Sequence, residues 1–370
     1  MSLGIYIHIP FCAAKCNYCD FNSRVASDSL KTEYIDALCR EIDSYAEGEG
    51  VVDTIYFGGG TPTILKPEQL IRILDAVRHR FSIDKDCEIT TECNPATIEY
   101  DGLTALNGAG FNRISIGVQS ADDEQLKILG RIHTFGDAKK CVSNARRAGF
   151  ENVSLDLMFG IPNQDLKSFI KTLGNAIELN PEHISCYSLK IEEGTPFANM
   201  DLNVADDEQS REMYEKCAEL LRESGYSRYE ISNFARSGFE SRHNCKYWKC
   251  GDFIGFGAGA YSCHMGKRYS NIYDVKEYVN CAMGGDSPIC DIITLDKSDM
   301  MSEFVFLGLR MDEGISKKEF KERFRADIYD IFKEQLDKNI KRGTIIQNGD
   351  RLKISPDFIY VSNMILSDFV

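Results

Sequence analysis

Three cysteines, Cys12, Cys16 and Cys19, fall within eight residues in a Cys-x-x-x-Cys-x-x-Cys spacing. Thiolates this close on one loop can wrap a single compact metal site. A structural zinc site takes four protein ligands, usually in paired Cys-x-x-Cys spacing. A standard four-iron, four-sulfur cluster also takes four cysteines. Three thiolates suit a [4Fe-4S] cluster that leaves one iron without a protein ligand, open to a chelating small molecule. The chain has fourteen cysteines in all. Cys39, Cys141 and Cys217 lie in helical patterns with no partner at ligand spacing, and they read as small core residues.

Other groups of chemical interest follow at intervals. The run Gly58-Gly59-Gly60-Thr61-Pro62-Thr63 lets a ligand approach the backbone and offers N–H groups to an anion. Alone, a glycine triplet is more often a tight turn. Glu92, Gln119, Arg131 and Asp156 each stand on or just beyond an expected strand. Singly, each also reads as a solvated rim or capping residue. Together they mark successive strand ends around one opening. Later comes His243-Asn244-Cys245-Lys246-Tyr247-Trp248, which holds the sole tryptophan of the chain. An imidazole beside flat aromatic faces could serve an iron porphyrin, although a lone histidine of this kind is more often packed in an aromatic loop. Cys245 and Cys250 are rival ligands, at a spacing unusual for a metal site.

The elements that must position these groups alternate regularly. Strands are expected over 4–10, 53–57, 87–92, 113–119, 153–159 and 183–189. Helices are expected over 30–45, 67–81, 122–129, 136–148, 165–179 and 206–224. In the first strand Ile5, Ile7 and Ile9 alternate with Tyr6 and His8. In the first helix Leu30, Tyr34, Leu38 and Ile42 form one stripe. Each crossover is long enough for parallel pairing. The expected fold is therefore α/β, a partial (β/α)6 TIM-like barrel with its active site at the C-terminal strand ends. Six units rather than eight leave a side open to a large ligand. The barrel is assigned to 1–225 and a connecting segment to 226–294, with 234–262 read as structured loop. A C-terminal module is assigned to 295–370. Its helices over 304–311, 317–324 and 328–338, and a hairpin turning at Asn348-Gly349-Asp350, predict a winged-helix-like α+β unit.

Composition narrows the function. A net charge of −14 opposes nucleic-acid binding. The cations of 317–325 alternate with acids, as on a solvated helix face. No apolar run approaches the ~18–20 residues of a membrane helix, and no signal peptide is evident. A cytoplasmic protein with reduced thiols is expected, touching a membrane at most from its surface.

The three-cysteine motif, with Tyr18 before its last member, resembles that of the radical S-adenosylmethionine enzymes. The resemblance implies that the open iron holds the amino and carboxylate groups of S-adenosylmethionine. An electron from the cluster would then cleave the sulfonium to a 5′-deoxyadenosyl radical. The match narrows further. Tyr6-Ile7-His8-Ile9-Pro10-Phe11-Cys12, the Gly-Gly-Gly-Thr-Pro-Thr run, Glu92-x-Asn94-Pro95 and Gly117-Val118-Gln119-Ser120 resemble the oxygen-independent coproporphyrinogen III oxidase family. So do Leu157-Met158-x-Gly160-Ile161-Pro162 and Glu193-Gly194-Thr195-Pro196. By this resemblance Tyr6, Gly59, Gly60, Thr61, Glu92, Gln119, Arg131 and Asp156 would contact S-adenosylmethionine.

Within that family two branches compete. The oxidase branch, which makes protoporphyrinogen IX from coproporphyrinogen III, has one more cysteine in its motif, two positions past the third. Here Asp20 and Phe21 follow Cys19. That branch also carries an N-terminal arm, not expected in a chain whose cysteine loop starts at residue 12. The His-Asn-x-x-Tyr-Trp motif resembles the HemW-type haem chaperone branch. That branch implies a cluster, S-adenosylmethionine and haem, with His243 as haem ligand. It also implies delivery to haem-acceptor proteins and an electron donor such as flavodoxin or ferredoxin. A radical enzyme acting on RNA is a third reading, opposed by the charge.

Overall fold

The computed structural model describes residues 2–45 and 50–370. Six strands alternate with helices: β1 (Ser2–Ile9), α1 (Asp28–Ser44), β2 (Val51–Gly59), α2 (Pro67–Arg80), β3 (Ser82–Cys93), α3 (Tyr100–Gly108), β4 (Arg113–Gln119), α4 (Asp123–Ile128), α5 (Phe135–Arg147), β5 (Asn152–Phe159), α6 (Leu166–Glu178), β6 (His183–Ser188) and α7 (Asp207–Glu223). The strands pair in parallel and in chain order from β1 to β6.

Period-two alternation sorts their side chains. Ile5, Ile7 and Ile9, then Ile55 and Phe57, Ile114, Ile116 and Val118, and Val153, Leu155 and Leu157 point outward into the helix layer and are buried there. The alternate positions face inward and are mostly polar: Tyr56, Glu88, Glu92, Arg113, Ser115, Asp156, Ser185 and Tyr187 among them. The barrel is thus apolar outside its strands and polar within.

Helix starts are capped as their sequences require. Ser27 Oγ accepts from Leu30 N at 3.3 Å, and Asp206 forms a reciprocal capping box with Gln209. Helix α3 was not expected. It has nine residues, of which only Leu103 and Leu106 are buried, and it contains Gly102, Asn107 and Gly108. Weak formers and a short apolar stripe hide such a helix from pattern reading.

The connecting segment is more ordered than a loop. It forms β7 (Ser227–Arg228), β8 (Asn233–Ala235), α8 (Arg242–Trp248), β9 (Phe253–Phe256), β10 (Tyr261–His264), β11 (Lys267–Asn271), α9 (Val275–Gly284) and β12 (Ile289–Thr294). Strands β8 and β7 extend the β6 edge antiparallel. Strand β9 joins β1 in parallel, and β10, β11 and β12 continue beyond it. The segment therefore crosses from one edge of the barrel to the other. Short strands built from Gly, Ser and aromatics lack the alternation that would reveal them.

The C-terminal module contains α10 (Lys297–Gly308), β13 (Ile315–Ser316), α11 (Lys317–Phe324), α12 (Ile328–Arg342), β14 (Ile345–Asn348), β15 (Arg351–Ile354) and α13 (Ser362–Leu366). Helix α10 starts seven residues before the expected 304, because Asp296 and Asp299 form a capping box there. The expected hairpin turns at Gly349, whose φ is +58°. Among the described residues no helix is long and apolar enough to cross a membrane.

Candidate functional site at the barrel mouth

The cysteine loop leaves the C-terminal end of β1 and is pinned on both sides. Cys12 N donates to Arg24 O at 3.0 Å, and Arg24 N returns to Pro10 O at 2.9 Å. Asn17 Nδ2 donates to Ile128 O at 2.8 Å, fixing the middle of the loop to the end of α4. The glycine run is stitched beneath: Gly60 N donates to Ile9 O at 2.9 Å and Thr61 N to Phe11 O at 2.8 Å. Thr61 Oγ1 lies 3.5 Å from Cys12 Sγ. A Cβ on Gly60 would fall 2.7 Å from Phe11 O and 2.9 Å from Cys12 Sγ. Glycine is required here because backbone and thiol meet without room for a side chain.

Cys12, Cys16 and Cys19 are half-exposed toward one cavity of about 370 Å³. Burial pushes the Cys12 and Cys19 thiols up, so metal binding must displace their protons. Three thiolates on one loop, one short of the four protein ligands of a structural zinc site, suit a cluster that leaves one iron open.

Seven expected residues line the same cavity: Gly59, Gly60, Thr61, Glu92, Gln119, Arg131 and Asp156. Gln119 ends β4 at a register shift, with φ +65°, a conformation L residues rarely adopt. Arg131 Nη2 donates to Gly117 O at 2.7 Å and its Nη1 to Cys16 Sγ at 3.7 Å. Asp156 accepts from Ser115 Oγ at 3.0 Å, and burial raises its carboxyl. Glu92 accepts from Tyr56 Oη at 2.9 Å, and burial pushes it up to about 7.

Two cations stand ready for a polar ligand. Arg113 is fully buried, with Nε and Nη1 lacking any partner, and Arg131 Nε is likewise unpaired. Buried donors of this kind need an acceptor. A polar chamber with a carboxylate pair, spare guanidinium N–H groups and a glycine cradle fits a zwitterionic nucleoside ligand chelated above it.

Two expectations fall elsewhere. Tyr6 lines a neighbouring cavity rather than this one. His243 lines neither: it is 1% exposed at the barrel floor. Its Nδ1 lies 2.9 Å from Thr54 Oγ1 and its Nε2 2.6 Å from Tyr247 Oη. Its ring stacks on Tyr56 at 5.2 Å. Glu88 accepts from the Arg242 and His243 amides, each at 3.1 Å, holding the N-terminus of α8 in the barrel. Both ring nitrogens are hydrogen-bonded, and His243 closes the barrel floor. Pattern reading missed Tyr56, Arg113, Ser115, Ser185 and Tyr187, which also line the chamber. The alternation of β2, β4 and β6 would have found them.

Comparison with known proteins agrees with this geometry. The Radical SAM superfamily profile matches residues 6–176, and the HemN C-terminal domain profile matches 295–357. "Heme chaperone HemW" of Bacillus subtilis is 39% identical over 352 residues, covering 93% of each chain. Its namesake in Escherichia coli is 43% identical over 70% of this chain and 69% of its own. Coproporphyrinogen III oxidase (HemN) from Escherichia coli superposes with a TM-score of 0.88 at 26% identity, over 99% of this chain and 89% of its own. With relatives this similar along nearly the whole length, the chain belongs to the HemW-type branch of the radical S-adenosylmethionine superfamily.

Proposed function

We propose that this protein carries haem to acceptor proteins while holding a [4Fe-4S] cluster on Cys12, Cys16 and Cys19 and S-adenosylmethionine beneath it. The observation that carries the reading is the convergence of seven expected contacts on one chamber of about 370 Å³ under the cysteine loop. That volume is near the lower end for small-molecule sites. It suits one nucleoside ligand, and the tetrapyrrole is read as cargo rather than as a substrate at the radical centre. Phe21, where the oxidase branch has a cysteine, points the same way.

When bound, such a cluster would supply an electron to the sulfonium of S-adenosylmethionine. The chain's own residues do the rest. Glu92 and Asp156 receive the ligand's cationic and hydroxyl groups, and Arg131 and Arg113 its carboxylate and ring-nitrogen acceptors. Gly59 and Gly60 let it approach the backbone, and Tyr6 supports the wall behind Gly59. Electrons arrive from a small donor such as a flavodoxin or ferredoxin. The protein works in the cytoplasm, reaching membrane-bound acceptors from the surface.

The test is anaerobic reconstitution of wild type and Cys16→Ser, followed by iron analysis, haem titration and transfer to an apo-acceptor. Wild type should gain about four irons per chain and pass haem on; Cys16→Ser should lose the iron and the brown colour. Coproporphyrinogen decarboxylation by wild type would replace this reading with the oxidase one, which the likeness to the HemN fold favours.

A further inference from the structure

A second cavity, of about 600 Å³, lies between the β1 edge of the barrel and the C-terminal module. It shares Asp20, Phe21, Gly59 and Glu92 with the chamber under the cysteine loop, so the two are separated by one wall. Its floor is the sheet extension. Strand register sets Cys263 beside Phe253 on one side and Arg268 on the other, so the three share a face. Tyr261, two residues before Cys263, lies on that same face. Tyr247 and Cys250 come from the end of α8, and Glu303 and Leu307 from α10.

Three features of this cavity are unusual for an idle surface. First, Phe21, Tyr261 and Tyr273 are 63%, 64% and 62% exposed and ring one opening. Exposed aromatic clusters mark binding sites, and flat rings suit a flat macrocycle. Second, two thiols, Cys250 and Cys263, face the space within electrostatic reach of each other. Cys250 holds a left-handed φ of +50°, strain that glycine would avoid. Third, Arg268 stands opposite Cys263, held by Glu303 at 2.9 Å. A cation there favours both a sulfur anion and a carboxylate. Aromatic walls, a sulfur ligand and a guanidinium together complement an iron porphyrin with acidic side chains.

We infer that this second cavity is the haem site, with Cys263 as the axial sulfur ligand, Cys250 beside it and Arg268 pairing with a propionate. The inference rests on the haem-carrying reading above and adds the place and the ligand. It puts the cargo against the wall of the cluster chamber, where Phe21 touches both spaces.

The test uses the full chain with its cluster reconstituted, titrated with haem and followed by absorption and electron paramagnetic resonance. Wild type should show a thiolate-ligated iron signature. Cys250→Ala/Cys263→Ala should lose that signature and bind haem at least about tenfold more weakly, with cluster content unchanged. Tyr261→Ala/Tyr273→Ala changes only exposed rings, so it keeps the test open if the cysteine variant fails to fold. It should release haem about tenfold faster to apomyoglobin. If wild type takes up no haem, the carrier reading falls and this site with it. If wild type binds haem and both variants match it in spectrum and affinity, the site alone is overturned, and the cavity belongs to another occupant such as a partner segment.

Discussion

Arg131 reaches from beyond α4 to place Nη1 3.7 Å from Cys16 Sγ while Nη2 holds the Gly117 carbonyl at 2.7 Å. One guanidinium thereby links the cysteine loop of β1 to the bulged end of β4. Its charge also faces the region where thiolates and a carboxylate ligand add negative charge. Losing a hydrogen bond to a charged group costs about 1.5–3 kcal/mol. Arg131→Gln should therefore weaken S-adenosylmethionine binding by about 10- to 150-fold. The cluster should still assemble, since all three thiols remain. Calorimetric titration of the reconstituted variant, set beside its iron content, checks both halves.

Gly60 leaves no space for a methyl group: its Cβ would press on Phe11 O at 2.7 Å and Cys12 Sγ at 2.9 Å. The first of these atoms is backbone and cannot swing aside. Gly60→Ala should shift the Cys12 loop and cut cluster incorporation to less than about half. Its far-ultraviolet circular dichroism should match wild type, because the core beneath is untouched. Iron and sulfide assays after reconstitution give the readout, and full incorporation would contradict the tight fit.

The barrel was legible because its strands are long and alternate strictly, as Ile5, Ile7 and Ile9 do against Tyr6 and His8. The cysteine spacing was legible because it is local. Helix α3 and strands β8 to β10 were hidden, since short elements rich in Gly, Asn and Ser carry little periodic signal. His243 shows a different limit. Its neighbours in sequence suggested a ligand site, but its neighbours in space, Thr54 and Glu88, come from β2 and β3. No local pattern encodes that meeting. Arg113 and Tyr56 show the opposite: the alternation of β4 and β2 places both inside the barrel, away from the strand ends that carry the motif residues.

Glu92 gives the site a pH dependence. Burial is the main cause of its rise to about 7, opposed by the Tyr56 hydrogen bond. A carboxyl raised on folding stabilises the fold while protonated, at pH below its unfolded value near 4.5. That contribution fades as pH climbs through 7. Glu92→Gln removes the ionisation, so the cluster-free variant should gain stability over wild type at pH 8 and little at pH 5. The side chain borders a cavity that water can enter, so the gain should be about 1–2 kcal/mol. Thermal unfolding across pH 5–8 measures it. The same variant should bind S-adenosylmethionine more weakly at pH 8, where wild type offers a carboxylate to a cationic group.

His243 should behave as a structural residue. Burial pushes its imidazole down to about 3, so it stays neutral through the physiological range. A group depressed in this way opposes the fold only as pH falls below the ordinary histidine range. His243→Ala leaves a void beneath Tyr56 and strips Thr54 Oγ1 and Tyr247 Oη of a partner. A cavity together with unsatisfied hydroxyls should cost about 2–4 kcal/mol. The urea midpoint should fall accordingly, with an unchanged slope. Haem should still bind the folded fraction, because the ring itself reaches neither cavity and only its partner Tyr247 borders the second one. If stability held while haem uptake collapsed, the imidazole would regain the ligand role that its motif first suggested.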